Sequence, residues 1–192
     1  LACRPESFAR TRWSGDDPSP SDATQARAAT CVDRVARFMH RAGCITSIHY
    51  DWGTAPYLEL HALQQRLVVA RAENRIPNVL LTGEHPQVIT LGRKTPDDEA
   101  YDERFHVVKV ERGGEATYHG PGQIVAYPIV HLTQSRKDLH RFQRDLEEIG
   151  IRTLADFGIE GSRREGLTGV WIGLRKVQSL GIAVRRWVTW HG

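Results

Sequence analysis

The sequence predicts an α+β fold in which strands predominate. Short runs of β-branched and aromatic residues, bounded by glycine, proline and charged residues, recur along most of the chain. Apolar residues at helical spacing occur in only a few longer segments. Several consecutive strand patterns separate these helical segments, whereas a parallel βαβ fold would alternate one strand with one helix.

Length and composition restrict the function classes. A chain of 192 residues suits one domain, and 40% hydrophobic with 26% charged residues is ordinary for a soluble globular protein. No apolar run reaches the roughly 18 residues of a membrane span, so no membrane partner is expected. A net charge of +3 is too small to indicate a nucleic-acid partner, and basic residues are not interleaved with aromatic ones.

Cysteine usage indicates the redox compartment. An odd number of cysteines without the spacing of a disulfide framework predicts a reducing, cytoplasmic location. The sequence has no Cys-x-x-Cys motif and no Cys/His pairing, so no metal site is predicted. The three cysteines all lie in the first quarter of the chain: Cys3, Cys31 and Cys44.

The first 44 residues are predicted to be a poorly ordered N-terminal extension, because prolines, serines and scattered charges fill its first half. Within it, Gln25–Ala42 has an apolar stripe and predicts a helix that ends at Gly43. The remaining residues, 45–192, are predicted to form the folded domain.

The folded domain is predicted to begin with a strand and a helix. Ile45–Tyr50 is rich in β-forming residues. Thr54 is predicted to cap the following helix, with Pro56 in its first turn and its end near Arg75. The buried face of this helix is marked by leucines at helical spacing: Leu60, Leu63 and Leu67.

The next segments predict strands and one solvated loop. Asn78–Thr82 and Gln87–Leu91 predict a hairpin around Gly83–Pro86. The acidic stretch Asp97–Glu103 is predicted to be a solvated surface loop. Phe105–Glu111, rich in valine, predicts a further strand.

The C-terminal half predicts one helix and three short strands. Asp138–Phe157 has apolar residues near one face, and Gly158 supplies a stop signal. Strands are predicted over Thr168–Gly173, Val177–Val184 and Trp187–Trp190.

A glycine-rich segment, residues 112–123, lies between strand patterns and holds four of the chain's 17 glycines. It predicts an open loop, because glycine admits positive φ and lets a ligand approach the backbone closely. Unpaired N–H groups in such a loop can hold a carbonyl or an oxyanion. On spacing alone, an ordinary hairpin with a glycine-rich turn is the alternative. The segment carries several polar side chains: Arg112, Thr117, Tyr118, His119 and Gln123.

Two side chains are candidates for proton transfer. His119 could act as a general base, donate a hydrogen bond or anchor the loop. Lys176, predicted at a turn or strand start, could act as an amine base, although a lysine in a turn is usually only solvated. Arginine is effectively never deprotonated, so lysines are the only such bases, and the chain has three others: Lys94, Lys109 and Lys137.

The motif Arg112-Gly-Gly-x-x-Thr-Tyr-His-Gly-Pro-Gly-Gln-x-x-x-Tyr-Pro128 resembles the signature of the lipoate-protein ligase B family, the octanoyltransferases of lipoate synthesis. Further segments resemble the same family in the same order: Glu84–Pro86, Thr90–Arg93, Gly169–Trp171 and Arg185–Gly192. The resemblance implies the biotin/lipoate ligase catalytic fold, a mixed sheet flanked by helices.

This resemblance also implies a reaction. Family members transfer an octanoyl group from acyl carrier protein to the lipoyl-domain lysine of target enzymes, through a cysteine thioester and without a cofactor. The expected partners are therefore octanoyl-acyl carrier protein, the apo lipoyl domains of 2-oxoacid dehydrogenases and the glycine cleavage H protein. The protein is expected to be a monomer, with neither nucleic acid nor membrane as a partner.

Site residues follow from the resemblance position by position. Lys176 matches the family lysine that lowers the thiol pKa and moves a proton. His85 is expected to shape the pocket, and Arg112 to orient the loop through hydrogen bonds. Ser179 and Leu180 stand where the family commonly has small or branched apolar residues. The expected substrate-binding positions are Arg112, Gly113, Gly114, Glu115, Ala116, Thr117, Tyr118, His119, Ser179, Leu180, Gly181 and Gly192.

One family feature has no counterpart in the sequence. The nucleophilic cysteine of the family lies in a Pro-Cys-Gly context some way after the His-Gly that resembles His191-Gly192, and this predicts a chain truncated at its C-terminus. Two alternatives remain open: an ATP-dependent lipoate ligase, which needs no cysteine, and a non-catalytic acyl- or lipoyl-domain-binding homologue. The His-Gly-Pro-Gly-Gln loop is typical of the transferase rather than the ligase. An arginine-rich nucleic-acid binder is disfavoured by the small net charge.

Overall fold

A computed structural model describes residues 47–96, 101–132 and 137–192. The helix predicted over Gln25–Ala42 lies outside the described residues, as does the whole N-terminal extension. Contacts between residues divide the chain into two compact units. The first contains residues up to His131 together with Ile182–Gly192, and the second contains Leu132–Gly181.

The first sheet of the first unit is mixed and has the strand order β1-β2-β6. β1 (Ser47–Thr54) runs parallel to β2 (Asn78–Glu84), and β6 (Val125–Ile129) is antiparallel to β2. A parallel pair needs a crossover connection, and helix α1 (Tyr57–Ala72) supplies it. The predicted α+β class with a mixed sheet is confirmed.

Helix α1 packs its leucine face into the core, as predicted. Leu60, Leu63 and Leu67 are buried, and each contributes roughly 1.5–3 kcal/mol to folding through loss of apolar surface from water. The predicted cap is wrong, because Thr54 ends β1 and Pro56 stands at the N-cap position. The side chain of a proline cannot accept a hydrogen bond, so the helix begins without side-chain capping.

A second sheet of the first unit has the order β4-β3-β5, formed by His106–Lys109, Val88–Leu91 and Ala116–His119. The predicted hairpin between Asn78–Thr82 and Gln87–Leu91 is wrong, because β2 and β3 belong to different sheets. The connection between them places the His85 side chain in the interior, where it is fully buried. After this turn the chain leaves the sheet of β2 and enters the sheet of β3.

The glycine-rich segment is more ordered than a loop. Its residues 116–119 form β5, which pairs antiparallel with β3 in the register Thr90↔Thr117. The prediction of an open loop over 112–123 is therefore wrong for these four residues. Threonine and tyrosine favour the extended backbone, and β3 offers them a free edge.

β9 (Ile182–Arg185) and β10 (Val188–His191) form a hairpin. Its turn residues Arg186 and Trp187 both have positive φ, at 52° and 61°, which matches the twist that two-residue hairpins need. The Thr189 amide donates to the carbonyl of Val130 at 2.9 Å, so the hairpin joins the chain just after β6.

The second unit contains helix α2 (Leu139–Asp156) and the hairpin of β7 (Val170–Ile172) with β8 (Arg175–Gln178). The strand predicted over Val177–Val184 is wrong in its middle, because residues 179–181 separate β8 from β9. The helix prediction is confirmed: Asp138 accepts a hydrogen bond from the Arg141 amide at 3.0 Å.

The apolar stripe of α2 is only partly covered. Leu139 and Ile149 are 41% and 60% exposed, whereas the residue of this helix that is buried is Glu147. Gly158, at φ +71°, follows the helix as predicted. Within the described ranges, neither helix combines the length and the apolar character that crossing a membrane requires.

Candidate functional site

Arg112 organises the glycine-rich segment. Its guanidinium is buried, with the residue 6% exposed, and donates to the Thr90 carbonyl at 2.6 Å and to the Thr90 hydroxyl at 2.8 Å. It also donates to the carbonyls of Gly113 and Glu115, at 3.1 and 2.8 Å. A fifth bond, from Nε to the Thr90 hydroxyl, uses the last of its five N–H donors. Arg112 therefore clamps the segment against β3.

Thr90 was missed as a site residue by sequence reasoning. The burial of β3 alternates, and Thr90 occupies a fully buried position between two half-buried neighbours. A polar residue at an apolar position of an alternating strand signals a hydrogen-bonding role, because a buried hydroxyl needs a partner. In the sequence, however, both neighbours of Thr90 are apolar, so the alternation becomes visible only in the structure.

His119 is fixed by its neighbours. Its Nδ1–H donates to Oε1 of Gln123 at 2.6 Å, and its Nε2 lies 3.5 Å from the Thr90 hydroxyl. Burial lowers the pKa of His119, a shift that the hydrogen bond to Gln123 opposes and the Arg112 charge assists. The ring is therefore neutral near pH 7 and has one nitrogen able to accept a proton.

His85 lies beneath this segment as a buried, neutral side chain. Its Nδ1–H donates to the Ala55 carbonyl and its Nε2 accepts from the Tyr127 hydroxyl, both at 2.7 Å. Burial lowers the pKa of His85 to about 4, although the Ala55 carbonyl opposes the shift. The indole of Trp52 stacks on the imidazole with centroids 5.3 Å apart. With both nitrogens engaged, His85 shapes the site and is not available as a base.

Tyr57 contacts four histidines. Its ring stacks on His61 and His119, at 5.9 and 6.2 Å, and meets His85 edge-on at 5.4 Å. Its hydroxyl lies 3.3 Å from Nδ1 of His191. Burial raises the pKa of Tyr57 strongly, so the hydroxyl stays protonated. Sequence reasoning assigned no role to Tyr57, because its position in the first turn of α1 carries no motif.

Most amides that could have held an oxyanion already have partners. The Gly113 amide donates to the Ile182 carbonyl at 3.1 Å, and the Gly122 amide donates to the Glu84 carboxylate at 2.7 Å. Gly192 approaches the Ala126 carbonyl so closely that a Cβ at this position would overlap it. A side chain is therefore excluded at Gly192 by the backbone of β6.

Lys176 lies in the second unit, at the start of β8 as predicted. It pairs across the hairpin with Trp171, and its Nζ lies 5.2 Å from the centroid of that indole. Gly169 leaves room for the lysine stem, because a Cβ there would lie 2.5 Å from Cε of Lys176. The lysine itself is exposed, so the indole orients a charge that solvent can reach.

The remaining predicted positions fall into the same two units. Ser179, Leu180 and Gly181 connect β8 to β9, with Ser179 exposed and the other two half-buried. Tyr118 in β5 is 45% exposed and meets Phe105 edge-on at 5.7 Å. The structure thus groups residues 112–119 around Thr90 and places Lys176 with Ser179–Gly181 in the other unit.

No nucleophilic thiol lies among the described residues, because all three cysteines of the sequence precede residue 47. Within the same described ranges, one group has the donor types of a metal centre: His61, Glu111 and His191.

Comparisons with known proteins identify the family. The family model described as "Lipoyl protein ligase A/B catalytic domain" matches residues 56–192. The chain is 48% identical over 142 residues to an octanoyltransferase of Syntrophotalea carbinolica, covering 74% of this chain and 67% of that protein. It is also 48% identical over 143 residues to an octanoyltransferase of Gloeobacter violaceus, covering 73% and 64%.

The fold is similar to that of solved lipoate ligases. A bipartite lipoate protein ligase from Thermoplasma acidophilum superposes with a TM-score of 0.56 at 19% identity, covering 73% of this chain and 58% of that one. At this identity the likeness concerns the fold alone. The chain spans about two thirds of the length of the curated relatives it matches. With its biotin/lipoate ligase-like α+β fold and a family model that matches most of its length, the chain belongs to the lipoate-protein ligase B family.

Proposed function

We propose that the protein is a cytoplasmic octanoyltransferase, which moves an octanoyl group from acyl carrier protein to a lysine of a lipoyl domain at the start of lipoate synthesis. The observation that carries this proposal is the 48% identity to curated octanoyltransferases across most of the chain. Residues 45–192 are taken as the catalytic part, acting as a monomer on the lipoyl domains of 2-oxoacid dehydrogenases and on the glycine cleavage H protein.

The reaction consists of two acyl transfers. A cysteine thiolate attacks the octanoyl thioester, the thiol of acyl carrier protein leaves, and a cysteine thioester remains. The lysine amine of the lipoyl domain then attacks this thioester, so that an amide forms and the cysteine is released with the amine proton transferred away. Cys3, Cys31 and Cys44 precede the matched residues, so none of them is assigned as the nucleophile.

Lys176 is assigned to thiol activation and proton transfer. An ammonium group beside a thiol favours the thiolate, and the same group can deliver a proton to the leaving thiol. The indole of Trp171 and the space left by Gly169 support this assignment, because together they restrain a long side chain to one direction.

Residues 113–119 are assigned to the acyl substrate, together with Ser179–Gly181 and Gly192. Arg112 has no donor left for a ligand, so its role is to hold this segment in place. Buried His85 and half-buried His119 are neutral, and an octanoyl chain is apolar. A site lined by neutral rings accepts such a chain without desolvating a charge.

A second candidate is a protein that binds acyl groups or lipoyl domains without turnover. The specific observation in its favour is that the Arg112 clamp and the neutral rings of His85 and His119 are formed without a thiol. Such a protein would keep the Arg112 clamp and the neutral rings of Tyr57, His85 and His119, since both features serve binding.

The two candidates are separated by assaying two proteins. One is the chain as it stands. The other is a hybrid in which Gly192 is followed by the segment that comes after the matched region in the Syntrophotalea carbinolica octanoyltransferase. Each is mixed with octanoyl-acyl carrier protein and an apo lipoyl domain, and mass spectrometry reports octanoylation of the lipoyl domain with and without ATP.

Octanoylation by the hybrid without ATP is the expected result. Replacing the cysteine of the added segment by serine should abolish this octanoylation. The Lys176→Ala variant of the hybrid should lose most of the activity, whereas Lys109→Ala, at an exposed lysine of β4, should retain it. Activity that requires ATP would instead identify a ligase. Binding of the octanoyl or lipoyl-domain substrate without turnover by the hybrid would favour the non-catalytic candidate.

A further inference from the structure

Three donor side chains from distant parts of the first unit converge at one point. His61 comes from α1, Glu111 follows β4, and His191 ends β10. Nε2 of His61 lies 3.0 Å from Oε2 of Glu111, and Nε2 of His191 lies 3.6 Å from the same oxygen. All three donor atoms lie within 4.8 Å of one another.

The two separations that involve Glu111 suit a tetrahedral transition-metal ion. With metal–ligand bonds of about 2.1 Å, two donors of a tetrahedral Zn²⁺ ion lie about 3.4 Å apart. The two measured pairs fall on either side of that value. Two imidazoles and one carboxylate also form a donor set that Zn²⁺ uses in proteins, with its fourth position open.

His191 gives an independent indication of a ligand. The residue is 1% exposed, and its Nε2 has no hydrogen-bond partner. A buried polar atom without a partner costs roughly 1–3 kcal/mol, so native structures rarely leave one. The unpartnered nitrogen points toward the Glu111 carboxylate, and a metal ion between them would supply the missing interaction.

The surroundings hold His191 in the form that binds metal. The Tyr57 hydroxyl, 3.3 Å from Nδ1, can accept the proton of that nitrogen and leave Nε2 free to coordinate. The main chain is fixed as well, because the His191 amide donates to Oε1 of Gln64 at 2.8 Å.

Glu111 provides the negative charge. Its Oε2 is the atom that lies nearest to both imidazoles, at 3.0 Å from His61 and 3.6 Å from His191. The carboxylate side chain is 45% exposed, which gives an ion a path from solvent. The His61–Glu111 hydrogen bond alone would satisfy these two residues, but it leaves Nε2 of His191 without a hydrogen bond.

We propose that His61, Glu111 and His191 form a binding site for a divalent transition-metal ion of the zinc class. The ion would join α1, the end of β4 and the last strand. It would thereby fix Glu111 immediately before Arg112, and His191 immediately before Gly192. The sequence predicted no metal site, because spacing rules detect ligands close in sequence, and 50 positions separate His61 from Glu111.

The test uses the whole chain with Cys3, Cys31 and Cys44 replaced by serine, so that thiols cannot bind the metal. Protein freed of metal with a chelator is titrated with Co²⁺, whose visible absorption reports tetrahedral coordination, and Zn²⁺ then displaces the Co²⁺. One equivalent of each ion is expected to bind. His61→Asn and Glu111→Gln should each weaken binding more than about tenfold, and Tyr57→Phe should weaken it by about 10–100-fold through His191.

Matched controls are His106→Asn and Glu103→Gln, at exposed positions of the same unit, and both should bind as the parent does. Saturating Zn²⁺ should also raise the melting temperature of the parent and the controls but not that of His61→Asn or Glu111→Gln. Absence of saturable binding would overturn the proposal. So would binding of equal strength in all five variants. Neither readout depends on acyl transfer, so failure here leaves the proposed function unaffected.

Discussion

The Arg112 guanidinium donates to the Thr90 carbonyl at 2.6 Å, joining residues that are 22 positions apart. The two residues connect the glycine-rich segment to the middle strand of the second sheet. Because Thr90 also receives two further bonds from Arg112 through its hydroxyl, the segment is held by one side chain rather than by its own backbone alone. The segment can therefore be glycine-rich and still have a defined conformation.

Replacing this guanidinium by an amine should destabilise the protein. In Arg112→Lys, a point charge replaces the planar fork, and the carbonyls of Thr90 and Glu115 cannot both be reached. We expect the free energy of unfolding to fall by about 2–4 kcal/mol, as measured by urea denaturation. The control Arg104→Lys changes an exposed arginine paired with Asp102 and should leave the stability nearly unchanged. Equal losses in the two variants would contradict the clamp.

Stability of the metal-free protein should fall as the pH drops from about 7 to about 5. The pKa of His85 is about 4 and that of His191 is about 3 in the folded protein, against an ordinary value of 6.5. Between these values the unfolded chain binds protons that the folded chain does not. Each histidine therefore removes about 1.4 kcal/mol per pH unit below pH 6.5, or about 3–4 kcal/mol for both by pH 5.

Urea denaturation with a chelator present measures this dependence. His191→Asn removes one of the two groups and should roughly halve the slope of stability against pH, whatever its effect at pH 7. His106→Asn, at an exposed histidine, should leave the slope unchanged. A flat profile from pH 7 to 5 would mean that the buried histidines accept protons without unfolding.

Local sequence signals predicted the helices and strands of this fold better than they predicted which strands pair. The leucine spacing of α1, and the apolar spacing and Gly158 stop of α2, were sufficient to predict both helices, because they depend on residues close together in the sequence. Strand pairing depends on residues far apart. The hairpin predicted between Asn78–Thr82 and Gln87–Leu91 failed for this reason, since β2 pairs with β1 and β6 instead.

The candidate site shows the same division. The motif from Arg112 to Pro128 could be found in the sequence because its residues are consecutive, and the family assignment made from it is confirmed. Thr90, Tyr57 and His61 could not be assigned, because each acquires its role from a distant partner. Lys176 stays a prediction as the catalytic lysine.

A side chain at Gly169 should destabilise the protein more than a side chain at Gly173. It has φ +137°, and a Cβ would lie 2.5 Å from both the Gln178 carbonyl and Cε of Lys176. Gly173 also has positive φ, at 55°, but no atom lies within 4 Å of the position that its Cβ would take. We expect Gly173→Ala to cost about 1–2 kcal/mol from backbone strain, and Gly169→Ala about 1–3 kcal/mol more from overlap.

Activity adds a second readout for these glycines. If Lys176 acts on the thiol, displacement of its stem in Gly169→Ala should reduce octanoyl transfer by the hybrid enzyme far more than Gly173→Ala does. Rates are compared at a temperature where both variants are folded, as judged by circular dichroism. Similar rates in the two variants would show that the Lys176 position is unimportant for transfer.

The buried Glu147 should be the most sensitive carboxylate of the second unit. Its Oε2 accepts from Arg144 at 2.7 Å and from Arg163 at 3.1 Å, and its Oε1 accepts from the Gly169 amide at 2.9 Å. Glu147→Ala leaves all three donors without their acceptor, two of them charged, and should cost about 3–5 kcal/mol in urea denaturation. Glu148 is the matched control, because it is adjacent, 40% exposed and also paired with Arg163. Glu148→Ala should cost much less than Glu147→Ala, because solvent screens an exposed pair. If both substitutions cost the same, burial does not strengthen this network, and α2 must be held by its half-exposed apolar stripe instead.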